Sequence, residues 1–257
     1  MAPWAPFTFT PKFRFTANSV KKHWHKLHAG DKEPLPQSAE LLDAWAMYHR
    51  GEFEQAAKAG LKAGLAGYTV ANKATCIYAN HLEPREKTKL DLFMLVSERA
   101  AEQIAADPAN VNGFYLQAYA LGRYSQGISV AKALAKGLGG KVKSALETAI
   151  RLEPLHAEAH IALGTFHAEV IDKVGALIGS MTYGAKKDTS LKLLEYGLRM
   201  CPESPSALLE YAHGMVLLDA DKYADEVTRL YQRTAELKPA DATDRLSVEL
   251  ARIELED

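Results

Sequence analysis

Four similar phrases, each closing on a proline, set the rhythm of this chain: "IAADP" at 104–108, "IRLEP" at 150–154, "LRMCP" at 198–202 and "AELKP" at 235–239. A proline cannot continue a helix and biases the residue before it away from helical angles, so each phrase reads as the end of a helix. After the first three prolines a second phrase recurs: "NGFYLQAYALGRY" from Asn112, "EAHIALGTFHAEV" from Glu158 and "SALLEYAHGMVLL" from Ser206. Each opens a helix with large and small side chains interleaved at helical spacing. The small residues Ala118, Gly164 and Ala212 all sit ten positions after their proline, where a second helix can approach closely. The pattern predicts an all-α, right-handed superhelical solenoid of antiparallel helix pairs.

These phrases resemble tetratricopeptide repeats, whose motif has a large residue, a Leu-Gly or Leu-Ala pair and a Tyr on the first helix, then an Ala-rich second helix closed by proline. An earlier copy at 41–64, "LLDAWAMYHRGEFEQAAKAGLKAG", carries the motif's turn as Gly51, Glu52, Phe53 and Ala56. The prolines are 46, 48 and 37 residues apart, so two repeats exceed the usual 34-residue period by about 12 to 14 residues. The surplus falls between paired helices, as "SQGISVAKALAKGLGGKVK" from Ser125 and "KVGALIGSMTYGAKKDTS" from Lys173. In this the chain looks like the variant repeats of the regulator of microtubule dynamics family and its bacterial relatives. Leu163, Gly164, Phe166, Glu169 and Val170 carry that likeness, followed by Thr182, Tyr183 and Gly184.

The remaining segments read as ends and fillers. Phe7, Phe9, Phe13 and Phe15 stand at odd positions of an extended arm, and a helix with Val20, Trp24 and Leu27 on one face then runs to Gly30. We expect 1–37 to be an arm and capping helix, followed by repeats at 38–67, 68–108, 109–154, 155–202 and 203–239. A cap at 241–257 should turn Leu246, Leu250 and Ile253 inward and Arg245, Glu249, Arg252 and Glu256 outward. The apolar insertion at 173–184 is expected to be buried, against the groove or a second copy of the chain, because exposed apolar patches of that size are uncommon on monomers.

Charge and cysteine content narrow the partners. The 257 residues carry 31 Lys and Arg against 32 Asp and Glu, so no global field points to nucleic acid or an anionic membrane. Two cysteines far apart fit a reducing compartment, and the proline-broken N-terminus lacks the unbroken apolar stretch of a signal peptide; both favour a cytoplasmic protein.

Candidate chemistry is sparse. His156, His160 and His167 lie close together, but the spacing H-A-E-A-H turns Glu158 away from the histidines, unlike the zinc motif H-E-x-x-H. Packing roles are expected for His160 and His167, while His156 belongs to the turn before their helix. "AKGLGGKVKS" at 135–144 lacks the first glycine and the hydroxyl of a phosphate loop, since Ala135 and Val142 stand there, so its glycines are expected only to break a helix. We therefore expect no enzyme, metal or cofactor, but a scaffold that clasps a protein or peptide in its concave face. The resemblance places Trp45, Tyr48, His49, Asn112, Tyr115, Tyr119, Arg123, Glu158, Thr165, Glu169, His213 and Leu217 on that face. The alternative is a small-ligand-binding accessory protein, as in bacterial relatives associated with uptake systems.

Overall fold

The structure, a computed structural model, describes residues 3–10 and 12–256; among them are thirteen α-helices, one short 3-10 turn and no strand. In chain order the helices are α1 (Ala17–Leu27), α2 (Ala39–Arg50), α3 (Phe53–Lys62), α4 (Tyr68–His81), α5 (Glu86–Ala106), α6 (Val111–Gln126) and α7 (Val130–Ala135). They continue with α8 (Leu138–Leu152), α9 (Ala157–Val174), α10 (Ala176–Tyr183), α11 (Lys187–Met200), α12 (Pro205–Glu236) and α13 (Ala242–Glu254). α2 packs on α3, α4 on α5, α6 on α8 and α9 on α11. α12 is itself a pair, because Asp219 is extended (φ −179°, ψ 85°) and folds the chain back, so that Leu208, Ala212 and Met215 meet Val227 and Leu230. The result is a right-handed superhelical solenoid of antiparallel helix pairs, with α7 and α10 inserted between paired helices.

Local chemistry sets the starts of these helices. The Asn110 side chain accepts from the Gly113 N–H (2.7 Å), and Ser204 accepts from Ala207 ahead of Pro205 in the first turn. The Asp241 carboxylate accepts from the Asp244 N–H (2.9 Å). Each satisfies a donor that a helix leaves unpaired at its N-terminus. The prolines supply the stops.

The recurring small residues do what the spacing predicts. A Cβ on Gly164 would stand 2.7 Å from Leu194 Cγ and 3.0 Å from backbone atoms of Ser190 and Leu194, so α9 and α11 touch at that point. Ser190 Oγ–H donates to the Gly164 carbonyl (2.7 Å), and Ala118 and Ala212 are fully buried.

Both ends of the chain return to the first repeat. The N-terminal arm is extended: Trp4 stacks on Tyr78, Phe7 packs on Phe53 and against Gly51, and Phe15 lies on His49. Gly51 adopts φ +86° with Phe7 where a Cβ would be, so glycine is required there on two counts. From the other end α13 packs on α2. Asp241 accepts from His49 Nδ1–H (2.6 Å), and Thr243 Oγ–H donates to Tyr48 Oη (3.2 Å). The solenoid therefore closes on itself around a central chamber.

Three expectations are corrected. The insertion at 173–184 is not buried against the rest of its own chain: Leu177, Ile178 and Met181 are exposed, since α10 is too short to cover more than its Gly179 side against Val170 of α9. Gly139 and Gly140 do not break a helix but lie in the first turn of α8; the break is at Gly137 (φ +63°), and Gly139 is small because the Tyr183 ring rests on it. The α13 cap meets only part of its expected face: Leu246 is inward and Arg252 and Glu256 outward as expected, but Leu250 and Ile253 are not inward. Packed against both α12 and α2, it buries Ala242, Leu246, Val248 and Ala251, leaves Ile253 exposed and Leu250 at the chamber edge, and holds Arg245 half-buried over Phe9.

Candidate functional site: the central chamber

The first helices of successive repeats bring a line of polar side chains to the inner face, and the chain itself covers part of that line. After α1, residues 28–34 cross the concave side in a turn that buries Asp31 completely. Burial alone would raise the Asp31 carboxyl, but Lys73 and His28 beside it hold it well below the usual range. Asp31 is ion-paired with Lys73 of α4, which also reaches Glu158 of α9 (3.2 Å). Although burial opposes it, the two carboxylates keep the Lys73 ammonium charged.

Backbone groups of the same turn are held as tightly. The Glu158 N–H donates to the Gly30 carbonyl (3.1 Å), and Asn112 Nδ2 donates to the Asp31 carbonyl (3.0 Å) and to Glu33 Oε2 (2.6 Å). Trp24 Nε1–H donates to the Glu33 carbonyl (2.7 Å). His156 completes the network and fixes its own tautomer. Nδ1 accepts from the Ala159 N–H as the cap of α9, so Nε2 carries the proton and donates to Asn112 Oδ1 (3.0 Å). Burial depresses its pKa to about 4, which keeps the ring neutral.

Beyond this turn lies a cavity of about 1160 Å3, walled by α4, α6, α8, α9, α12 and α13. Its polar side is a second cluster. Arg123 of α6 is ion-paired with Glu210 of α12, lies 5.3 Å from the Tyr119 ring centroid and approaches Gln126 Oε1 (3.3 Å). Gln126 in turn binds Glu169, and Thr165 Oγ–H donates to Glu210 (3.3 Å). Burial opposes the Arg123 charge, but Glu210 sustains it; burial likewise pushes up Tyr119, to about 12. His81 is driven to about 4 by burial and by Arg123. Apolar side chains line the same cavity, among them Ile77, Val142, Leu146, Ile161 and Phe166.

Of the residues expected on the concave face, Tyr48, His49, Tyr115, Tyr119, Arg123, Glu158, Thr165, Glu169 and His213 line the chamber. Three do not. Trp45 is packed beneath Trp24 and His28, Asn112 is taken up by the buried turn, and Leu217 lies outside the cavity. Sequence reasoning missed Lys73, Asp31 and Glu210. Lys73 had a signal, a single charge inside the otherwise uncharged "TVANKATCIYANHL", whereas Asp31 sits in a turn with no periodicity to place it.

His160 and His167 sit in packing environments: His160 Nε2 donates to the Pro154 carbonyl (3.0 Å) with its ring on Tyr196, and His167 rests beside Phe166. Among the described residues no group of three His, Cys, Asp or Glu is placed to hold a metal ion. Cys76 lines the chamber, but burial pushes its thiol far up, so it is no nucleophile at neutral pH.

No protein-family profile matches the chain, and no curated protein matches it significantly in sequence. Among solved structures, it is similar to the crystal structure of a thermophilic TPR protein of Thermus thermophilus, with a TM-score of 0.57 at 18% identity. The match covers 83% of this chain and 97% of that one, and the fold is thus tetratricopeptide-like.

Proposed function

We propose that this protein is a non-enzymatic binding module whose central chamber holds one compact, partly apolar ligand. The observation that supports this most is the closure of the ring by α13 on α2. It converts what would be an open groove into a cavity of about 1160 Å3, near the upper end of ordinary ligand pockets at about 300–1,000 Å3. Tyr119, Arg123, Thr165, Glu169, Glu210 and His213 supply the directional groups, and Ile77, Val142, Leu146, Ile161 and Phe166 supply apolar contact. The small-ligand alternative raised by the sequence is therefore preferred over an extended peptide running the length of the concave face, which residues 28–34 already cover in part.

A second reading, a scaffold that takes the end of a partner's chain, is supported by that same turn. The concave face of this protein holds a turn of its own chain through backbone carbonyls and one carboxylate, groups that the end of a partner's chain would also offer. The finer likeness to the regulator of microtubule dynamics family rests on Leu163, Gly164, Phe166, Glu169 and Val170 and fits either reading.

Mass spectrometry under native and then denaturing conditions tests the first reading. A small molecule carried at one per chain, and lost from Arg123→Met with the fold retained, is the expected result. Protein that carries none, shows no thermal shift with any member of a metabolite panel, and instead selects a common sequence at the free end of displayed peptides would favour the second.

A further inference from the structure

The two inserted segments differ from the rest of the chain in charge and in exposure. Residues 127–144 contain Lys132, Lys136, Lys141 and Lys143, residues 173–187 contain Lys173, Lys186 and Lys187, and neither contains an Asp or Glu. Seven positive charges are thus concentrated in two short pieces of a chain whose net charge is −1. Lys143 pairs with Glu147 and Lys187 with Asp219; among the described residues the other five make no ion pair. Asp172 and Asp188 flank the second segment as the nearest opposing charges in sequence.

Between these lysines stand the largest exposed apolar side chains of the molecule. Met181 is 81% exposed, Leu177 75% and Ile178 57%, all on α10, with Val130 and Leu134 exposed on α7. The Tyr183 ring at the end of α10 rests on Gly139 in the first turn of α8, the helix that follows α7, and Val130, Leu134, Val174 and Tyr183 all line the chamber.

We propose that this face docks on an anionic lipid surface, with α10 lying in the interface and Leu177, Ile178 and Met181 inserted among the acyl chains. Leu177 and Met181, four apart on α10, share a face beside Ile178, and none of the three lines the chamber. An uncharged apolar helix bracketed by lysines is the composition that peripheral membrane contact requires: shallow apolar insertion plus attraction to anionic headgroups. A second copy of the chain fits poorly, because a two-fold contact through this face would set one lysine-rich rim against another. The proposal replaces the sequence-based expectation of no membrane partner. Among the described residues no helix is long and apolar enough to cross a bilayer; the proposed contact is peripheral and does not depend on what the chamber holds.

Flotation of the full chain with vesicles tests it. Vesicles of equal parts phosphatidylcholine and phosphatidylglycerol should recover the protein, and phosphatidylcholine alone should recover roughly tenfold less. Leu177→Ser with Met181→Ser should reduce recovery by about tenfold or more with an unchanged melting curve, since both side chains are exposed. Lys132→Glu with Lys136→Glu should do the same through charge alone, as should high salt. Equal recovery on both vesicle types, or recovery indifferent to both variants, would overturn the proposal. So would a concentration-dependent dimer, dissolved by Leu177→Ser with Met181→Ser, in protein that no vesicle recovers; the face would then join copies of the chain.

Discussion

Two clusters on the inner face of this solenoid use the same kind of chemistry in opposite settings. In the first, Lys73 of α4 meets Asp31 and Glu158, and the turn at 28–34 brings its own carbonyls to Asn112 and to the Glu158 N–H, so Asp31 is shut off from water while Lys73 and Glu158 still border the chamber. In the second, Arg123 of α6 meets Glu210 and Tyr119 on the chamber wall, and both members of the ion pair, Arg123 at 20% and Glu210 at 28% exposed, remain open to water. A paired charge sealed in protein is a structural commitment, because removing one partner strands the other in low dielectric. A paired charge at a wet wall can exchange partners at small cost, which is what a binding surface needs.

Removing the cation from each cluster separates the two most sharply. Lys73→Met leaves Asp31 buried without its counter-charge and should cost about 3–5 kcal/mol of stability in urea unfolding. Arg123→Met should cost only about 1–2 kcal/mol, since water can reach Glu210, while its effect on ligand retention exceeds its effect on stability. Equal losses in unfolding would mean that the chamber wall is as dry as the turn, and the distinction drawn between the clusters would fail.

The sealed cluster should also reveal itself through pH. Burial and the neighbouring Asp31 push the Glu33 carboxyl up to about 8, from an ordinary value near 4.5, with Asn112 donating to its oxygen. A carboxyl raised on folding contributes stability that is complete below its unfolded value and lost as pH rises through the folded one. Stability should therefore decline between about pH 4.5 and 8, and Glu33→Gln should flatten that decline in melts across the range. Asp31 acts in the other direction: held low, it contributes above its unfolded value and is lost in acid.

The smallest expected effect has the opposite sign. Gly122 lies within α6 on the chamber wall, and a Cβ there would meet nothing within 4 Å. Gly122→Ala should stabilise the protein by about 0.5–1 kcal/mol, the helix-interior preference for alanine over glycine. At Gly164, by contrast, the same change pushes α9 from α11 and should destabilise by about 1–3 kcal/mol. Thermal melts of the two single variants check both signs.

The helix pairs, their closing prolines and the close contacts at Ala118, Gly164 and Ala212 could be read from the chain alone, because each is a local rule: a stop, a period, a missing Cβ. The arm of phenylalanines was legible for the same reason. Only the tertiary structure decided that the solenoid closes on itself, since the bond between His49 and Asp241 joins residues 192 positions apart and no local pattern encodes it. It also decided which inner-face residues are sealed and which line a chamber. What separates the two clusters is where residues 28–34, a turn with no periodicity, come to rest. The exposure of α10 has the same origin, for an apolar run announces a need for cover, while the geometry around it settles whether the chain itself provides any.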